Sequence, residues 1–64
     1  MTNDELKSAF KSQSFVVWEG KKYFLQGILT QWINGRVVVS AILMDNATSG
    51  KTIYQVKPET LKET

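Results

Sequence analysis

The stretch that decides the fold runs from Tyr23 to Met44: Tyr-Phe-Leu-Gln-Gly-Ile-Leu-Thr-Gln-Trp-Ile, then Asn34-Gly35, then Arg-Val-Val-Val-Ser-Ala-Ile-Leu-Met. Asn-Gly is the preferred pair for a two-residue type I′ turn, because both of its positions need positive φ. The flanking runs are rich in the β-branched, aromatic and aliphatic residues that strands favour. The sequence therefore predicts one long β-hairpin with the other elements packed around it.

Placing the turn at Asn34-Gly35 also predicts the strand register. With uniform alternation, Gln26 and Ile28 share one face of the hairpin, and Tyr23 and Leu25 share the other. Both faces are substantially apolar, whereas a ribbon with one wet face shows one polar set. We therefore expect both faces to need cover. The predicted cross-strand pairs are Ile33–Arg36, Trp32–Val37, Thr30–Val39, Ile28–Ala41 and Gln26–Leu43.

Length and composition limit the structure and its chemistry. The chain has 64 residues, no cysteine and no histidine, with a net charge of +2. We expect a single domain over residues 1–64, without disulfides, cofactors or the usual zinc ligands. No run approaches the roughly 18 apolar residues of a membrane span, and no small-molecule substrate is evident. We expect a cytoplasmic protein.

The first residues predict a helix over about 3–11. Thr2 and Glu5 have the spacing of a capping box, in which each side chain binds the backbone amide of the other residue. Leu6 and Phe10 lie one above the other at i, i+4 spacing. Since nine residues are too few for a stable isolated helix, we expect both side chains to dock on a face of the hairpin.

The remaining chain predicts short strands and turns. Phe15–Trp18 favours a strand, Glu19–Lys22 a turn, residues 45–50 a polar turn and Lys51–Lys57 a last strand. Pro58 should end that strand and start a single helical turn. The predicted fold class is mainly β (α+β): an N-terminal helix and a four- to five-stranded antiparallel SH3-like small barrel over about residues 14–61. An open meander with the helix on one side is the alternative.

No catalytic constellation is visible in the sequence. A serine nucleophile wants a neighbouring base, and histidine is absent. The carboxylates lie in predicted termini or turns, outside the apolar runs that would raise their pKa for acid–base work. We therefore expect a non-enzymatic interaction module.

Two binding surfaces remain as alternatives. Trp32, Ile33, Asn34 and Arg36 gather at the predicted hairpin tip, with Trp18 as a second anchor. Interface cores are enriched in such aromatic and arginine side chains. This set predicts contact with a protein partner or with other copies of the chain.

The second alternative is single-stranded nucleic acid. Small barrels stack bases on exposed aromatic rings beside basic side chains. The candidate residues for this role are Trp18, Lys21, Lys22, Tyr23 and Arg36.

Four segments carry a resemblance to known proteins: Leu6-Lys-Ser-Ala-Phe10, Val16-Val-Trp-Glu-Gly-Lys-Lys-Tyr23, Val38-Val-Ser-Ala-Ile-Leu-Met-Asp45 and Val56-Lys-Pro-Glu59. In these segments the chain resembles small proteins of unknown function encoded by phages and prophages of Gram-positive bacteria. That resemblance implies a structural or adaptor role, in the host cell or associated with the virion, and supplies no binding residues.

A second resemblance rests on Leu25-Gln26-Gly27-Ile28, which follows Gly20. This segment is similar to the first motif of Sm-like RNA-binding barrels, which also begin with a helix. The resemblance implies the helix-plus-barrel fold. The acidic residue and the second motif of those proteins have no counterpart here, so no RNA-binding residue is carried over.

Overall fold

A computed structural model describes residues 1–45 and 52–64. It confirms the predicted fold class, a helix followed by a mostly β, five-stranded antiparallel sheet. The predicted turn after Asp45 and the predicted strand start at Lys51 lie outside the described residues. The elements are α1 (Asn3–Lys11), β1 (Phe15–Trp18), β2 (Lys21–Ile33), β3 (Arg36–Asp45), β4 (Ile53–Val56), a 3₁₀ turn (Pro58–Thr60) and β5 (Lys62–Glu63).

Helix α1 begins at the predicted capping box. The Glu5 amide donates to the Thr2 hydroxyl at 3.2 Å, and the Thr2 amide donates to the Glu5 carboxylate at 2.8 Å. Leu6 is fully buried and Ala9 lies beside it in the core. The prediction that Phe10 also docks is wrong, since its side chain is 43% exposed. On a helix Phe10 lies about 40° from Leu6 and about 100° from Ala9, so it stands at the edge of the docked face.

Both hairpins turn through two residues with positive φ. Asn34 and Gly35 have φ of 50° and 75°, and Ile33 pairs with Arg36, as the sequence predicts. Glu19 and Gly20 have φ of 50° and 78° between the paired residues Trp18 and Lys21. The predicted four-residue turn over Glu19–Lys22 is therefore wrong in length. Lys21 and Lys22 belong to β2.

The predicted hairpin register is correct from the turn back to Ile28 and wrong beyond it. Leu25 pairs with Leu43 and Gly27 with Ile42, so Gln26 is the extra residue of a β-bulge. Uniform alternation would bury Gln26 and expose Leu25. The bulge lets Leu25 and Ile28 face the core together, because burying apolar area favours this register over a regular ladder.

The core lies between α1 and one face of the sheet, which we call the inner face. The sheet order is β4-β3-β2-β1-β5, with β4 and β5 as the edges of an open sheet. The predicted turn after Pro58 is present, and it leads to the buried Leu61. The Met1 amino group donates to the Pro58 and Leu61 carbonyls at 3.0 and 2.9 Å and ties that turn to the helix. The buried apolar side chains are Leu6, Ala9, Val16, Tyr23, Leu25, Ala41, Leu43 and Leu61.

The opposite, outer face of the sheet is also rich in apolar side chains. Phe24 pairs with Phe15 on one side and with Met44 on the other, and Met44 pairs with Ile53. Residues directly opposite each other on neighbouring strands share a face. Among the described elements, α1 packs on the inner face, and the outer face carries no covering helix or strand. The expectation that both faces need cover is thus met on one side only.

Candidate protein-contact surface

The far end of the long hairpin stands apart from the rest of the sheet. Strand β1 pairs with residues 21–24 of β2, and β4 pairs with residues 41–44 of β3. Residues 29–33 and 36–40, here called the distal ribbon, pair with each other and with no third strand in the described part of the chain. The ribbon lies in a molecule whose longest dimension is 39 Å.

The tip of this ribbon presents apolar side chains on both faces. Trp32 is 76% exposed, and its cross-strand partner Val37 is 57% exposed. On the other face, Ile33 is 45% exposed and pairs with Arg36. Directly opposite side chains lie about 5 Å apart at Cβ, so each pair forms one contact surface. We call Trp32, Ile33, Arg36 and Val37, with Asn34 in the turn, the hairpin tip.

Four of the five predicted protein-contact residues are brought together at this tip. Trp32, Ile33, Asn34 and Arg36 lie in or beside the turn, and all are exposed. Val37 was missed as a candidate, although the predicted register already placed it opposite Trp32. The missing step was to ask what lies across the ribbon from an exposed tryptophan.

Trp18, the predicted second anchor, lies elsewhere. It ends β1, opposite the first residue of β2, whereas the tip lies at the other end of β2. Its ring is half-buried, with its centroid 5.7 Å from that of Tyr23 and 5.1 Å from that of Tyr54. Tilted and edge-to-face rings at these distances stabilise one another. The structure therefore gives Trp18 a packing role at the core.

The predicted nucleic-acid set is not gathered into one surface. Tyr23 is 7% exposed, so its ring is not available to a stacked base. Burial raises the pKa of its hydroxyl above the ordinary value of 10.0. Lys21 and Lys22 are exposed at the start of β2, and Arg36 lies across from its last residue, Ile33. A strand of that length separates the cations by on the order of 30 Å.

A second exposed apolar surface lies on the outer face. The sequence predicts that both hairpin faces are apolar, but uniform alternation puts Phe24 and Met44 on opposite faces, whereas they pair on the outer face. The side chains of Phe15, Phe24, Met44 and Ile53 form a row across β1, β2, β3 and β4, which we call the outer row. The two phenylalanine rings stack at 4.6 Å between centroids, and each is more than a third exposed. Ile53 is 61% exposed. The signal was Gly27, because an isolated glycine inside a strand often marks a bulge, which here moves Phe24 outward.

A groove of about 700 Å³ adjoins the outer row beside the end of α1. Phe10 and Lys11 line one wall, and Phe24, Gln26 and Met44 line another. The exposed Phe10 side chain thus faces this groove rather than the core.

The acidic side chains of the described residues form no metal-binding cluster, since these residues contain no group of three or more His, Cys, Asp or Glu side chains that could bind a metal ion. The Glu5 carboxylate is engaged at the helix start, where the Thr2 backbone amide holds its pKa below the ordinary value. The exposed apolar surfaces, by contrast, are suited to excluding water from a contact.

Comparisons with known proteins leave the chain without an assigned family. No family model, no curated protein and no solved structure matches it. In residues 1–45 and 52–64, no helix has the length and apolar character needed to cross a membrane.

Proposed function

We propose that this chain is a non-enzymatic interaction module that binds another protein through the hairpin tip. The exposure of Trp32 carries the proposal, since 76% of this large apolar side chain faces water at the end of a ribbon that no third strand supports. A polar residue there would leave the core untouched. The fold therefore gives no reason for a tryptophan at this position, whereas a binding surface does.

The chemistry of the tip matches that of a protein-binding hot spot. Tryptophan and arginine are the side chains most enriched among residues that dominate interface energies. Trp32 and Val37 supply apolar area on one face, and Arg36 supplies five hydrogen-bond donors on the other. A partner with a shallow apolar cleft flanked by carboxylates or carbonyl oxygens would satisfy both faces.

The resemblance to small phage-encoded proteins supports the same role, because it implies an adaptor or structural component. The proposed module needs no cofactor. We propose the cytoplasm as its compartment, since a chain without cysteine suits a reducing environment.

Site-specific photocrosslinking tests the proposal. A benzophenone amino acid replaces Trp32 in one version of the chain and the exposed Lys7 on α1 in a control version. Each is incubated with extract of the source cells, and the crosslinked protein is identified and purified. Titration calorimetry with that protein should show binding about 100-fold weaker for Trp32→Ala and within twofold for Lys7→Ala. A partner that binds the Trp32→Ala variant with unchanged affinity would overturn the proposal.

The nucleic-acid alternative is tested with a different probe. Labelled protein is titrated with a single-stranded oligothymidylate at about 50 and 200 mM salt and followed by amide NMR. Under the proposal, amides near Lys21, Lys22 and Arg36 do not shift. Shifts at these residues that fade with salt would instead favour nucleic-acid binding.

A further inference from the structure

We propose that two copies of this chain pack their outer sheet faces together, with the outer row of each against the outer row of the other. This contact is separate from the hairpin tip and does not rest on its function. Three observations point to a second copy as the occupant: the absence of charge on the face, the arrangement of the row and its size.

The outer face is uncharged over its central area. Lys22 and Lys62 flank Val17 at one end of the face, and Arg36 lies at the other end. Between these ends, the outward-pointing side chains of β1–β4 are apolar, amide, hydroxyl or glycine. The one strongly buried polar group there, the Ser40 hydroxyl, accepts a hydrogen bond from the Gln55 side chain at 3.3 Å. Two such faces meet without burying a charge, which would cost several kcal/mol per unpaired ion.

The outer row is self-complementary under a twofold axis. Its order across the sheet is Phe15, Phe24, Met44, Ile53, with aromatic rings in one half and flexible or branched aliphatic side chains in the other. A twofold axis parallel to the strands, between β2 and β3, reverses this order in the second copy. Each Phe24 then meets the other copy's Met44, and each Phe15 meets the other copy's Ile53. Thioether–aromatic contacts of this kind are favourable.

The size of the face sets the expected affinity. Four strands spaced about 4.8 Å apart, over roughly six residues, give a footprint of about 20 by 20 Å. This is smaller than the roughly 800 Å² per partner of a standard interface. We therefore expect a reversible dimer with a dissociation constant on the order of 10–100 μM. Two packed sheets about 10 Å apart would form a small sandwich.

Sedimentation equilibrium on the full chain, from about 5 μM to 1 mM, measures this association. Phe24→Thr and Ile53→Lys should each raise the dissociation constant about 100-fold, because each substitution acts in both copies. Ile53 lies on an edge strand and is 61% exposed, so Ile53→Lys should keep the fold. Trp32→Thr, at the tip, is the control and should leave the dissociation constant within twofold. Circular dichroism confirms that each variant is folded.

An isotope-filtered NMR experiment on a mixture of labelled and unlabelled chains tests the geometry. Phe15 and Ile53 lie three strands apart within one chain, about 14 Å, too far for a nuclear Overhauser effect. A cross-peak between the Phe15 ring and the Ile53 methyl groups would therefore come from two copies and support the twofold packing. A monomer at 1 mM, an unchanged dimer in both outer-face variants, or a dimer without this cross-peak would each overturn the proposal.

Discussion

The two halves of the long hairpin contain similar residue types but differ in the elements that pack against them. The proximal half is residues 21–28 and 41–45, and the distal half is the distal ribbon. In the proximal half, the side chains of Leu25, Ala41 and Leu43 are all less than 9% exposed. Helix α1 covers them, and β1 and β4 extend the sheet on either side of the hairpin. In the distal half, Trp32 and Val37 are more than half exposed. Strand formation follows from the residue types and the turn, and these are alike in both halves. Stability also comes from neighbouring elements, of which the hairpin tip has few, and the tip therefore has surface to offer a partner.

The largest effect on stability is expected from shortening a core side chain in the proximal half. Leu43→Ala removes a fully buried side chain that pairs with Leu25 and Tyr54, so we expect a loss of about 3–5 kcal/mol in the free energy of unfolding. Val37→Ala at the tip should change it by about 0.5 kcal/mol or less. Urea unfolding followed by circular dichroism measures both. Comparable losses in the two variants would mean that the ribbon is covered in solution.

The two turns provide a sharper test, because their glycines share the same geometry. Gly20 and Gly35 have φ of 78° and 75°, and no heavy atom lies within 4 Å of an added Cβ in either. Alanine at either site costs about 1 kcal/mol of backbone strain and no steric clash. Gly20→Ala should lower global stability by that amount, since its turn joins β1 to the core. Gly35→Ala should mainly speed hydrogen exchange of the amides that pair across the ribbon beside the turn, Ile33 and Arg36, because the ribbon opens locally.

Gly27→Ala is the matched control for the turn variants. An added Cβ there meets Ile42 at 3.9 Å, an ordinary contact, and the backbone has no positive φ. Alanine should therefore raise the free energy of unfolding by about 0.5 kcal/mol, because it lowers the conformational entropy of the unfolded chain. Equal global losses for Gly20→Ala and Gly35→Ala would show that the two hairpin halves unfold as one unit.

The elements of the fold were predictable where one local rule decided the outcome. Asn34-Gly35 set a turn that needs positive φ, and Thr2 with Glu5 set the start of α1. The bulge at Gln26 was not predictable from the alternation of side chains along the strand. That alternation takes no account of the free energy gained by burying apolar side chains in the core. Burying Leu25 together with Ile28 required knowing that α1 covers that face. Gly27 was the one local signal.

The candidate site was predictable at the hairpin tip and not elsewhere. Trp32 and Arg36 flank the turn, so their position followed from the turn itself. Trp18 is also a tryptophan, like Trp32, yet its ring packs against Tyr23 and Tyr54. Separating the two tryptophans requires knowing which ring finds neighbours from distant strands. The outer row was hidden for the same reason, since its members come from four strands.

The smallest expected effect is a loss of folding stability at alkaline pH that arises from Tyr23, in the proximal half. Burial raises the pKa of Tyr23 above its ordinary value of 10.0 in the folded chain. The unfolded chain therefore releases this proton first, so the contribution of Tyr23 to stability is complete below about pH 10 and is lost as the pH rises through the folded-state value. Tyr23→Phe should unfold with a shallower loss of stability between pH 9 and 11 than the unsubstituted chain. Urea midpoints across that range measure the slope, and NMR of the Tyr23 ring measures the pKa directly. An unchanged slope in Tyr23→Phe would mean that the Tyr23 ring meets water as readily as the tip does, and the contrast between the two hairpin halves would then not extend to this residue.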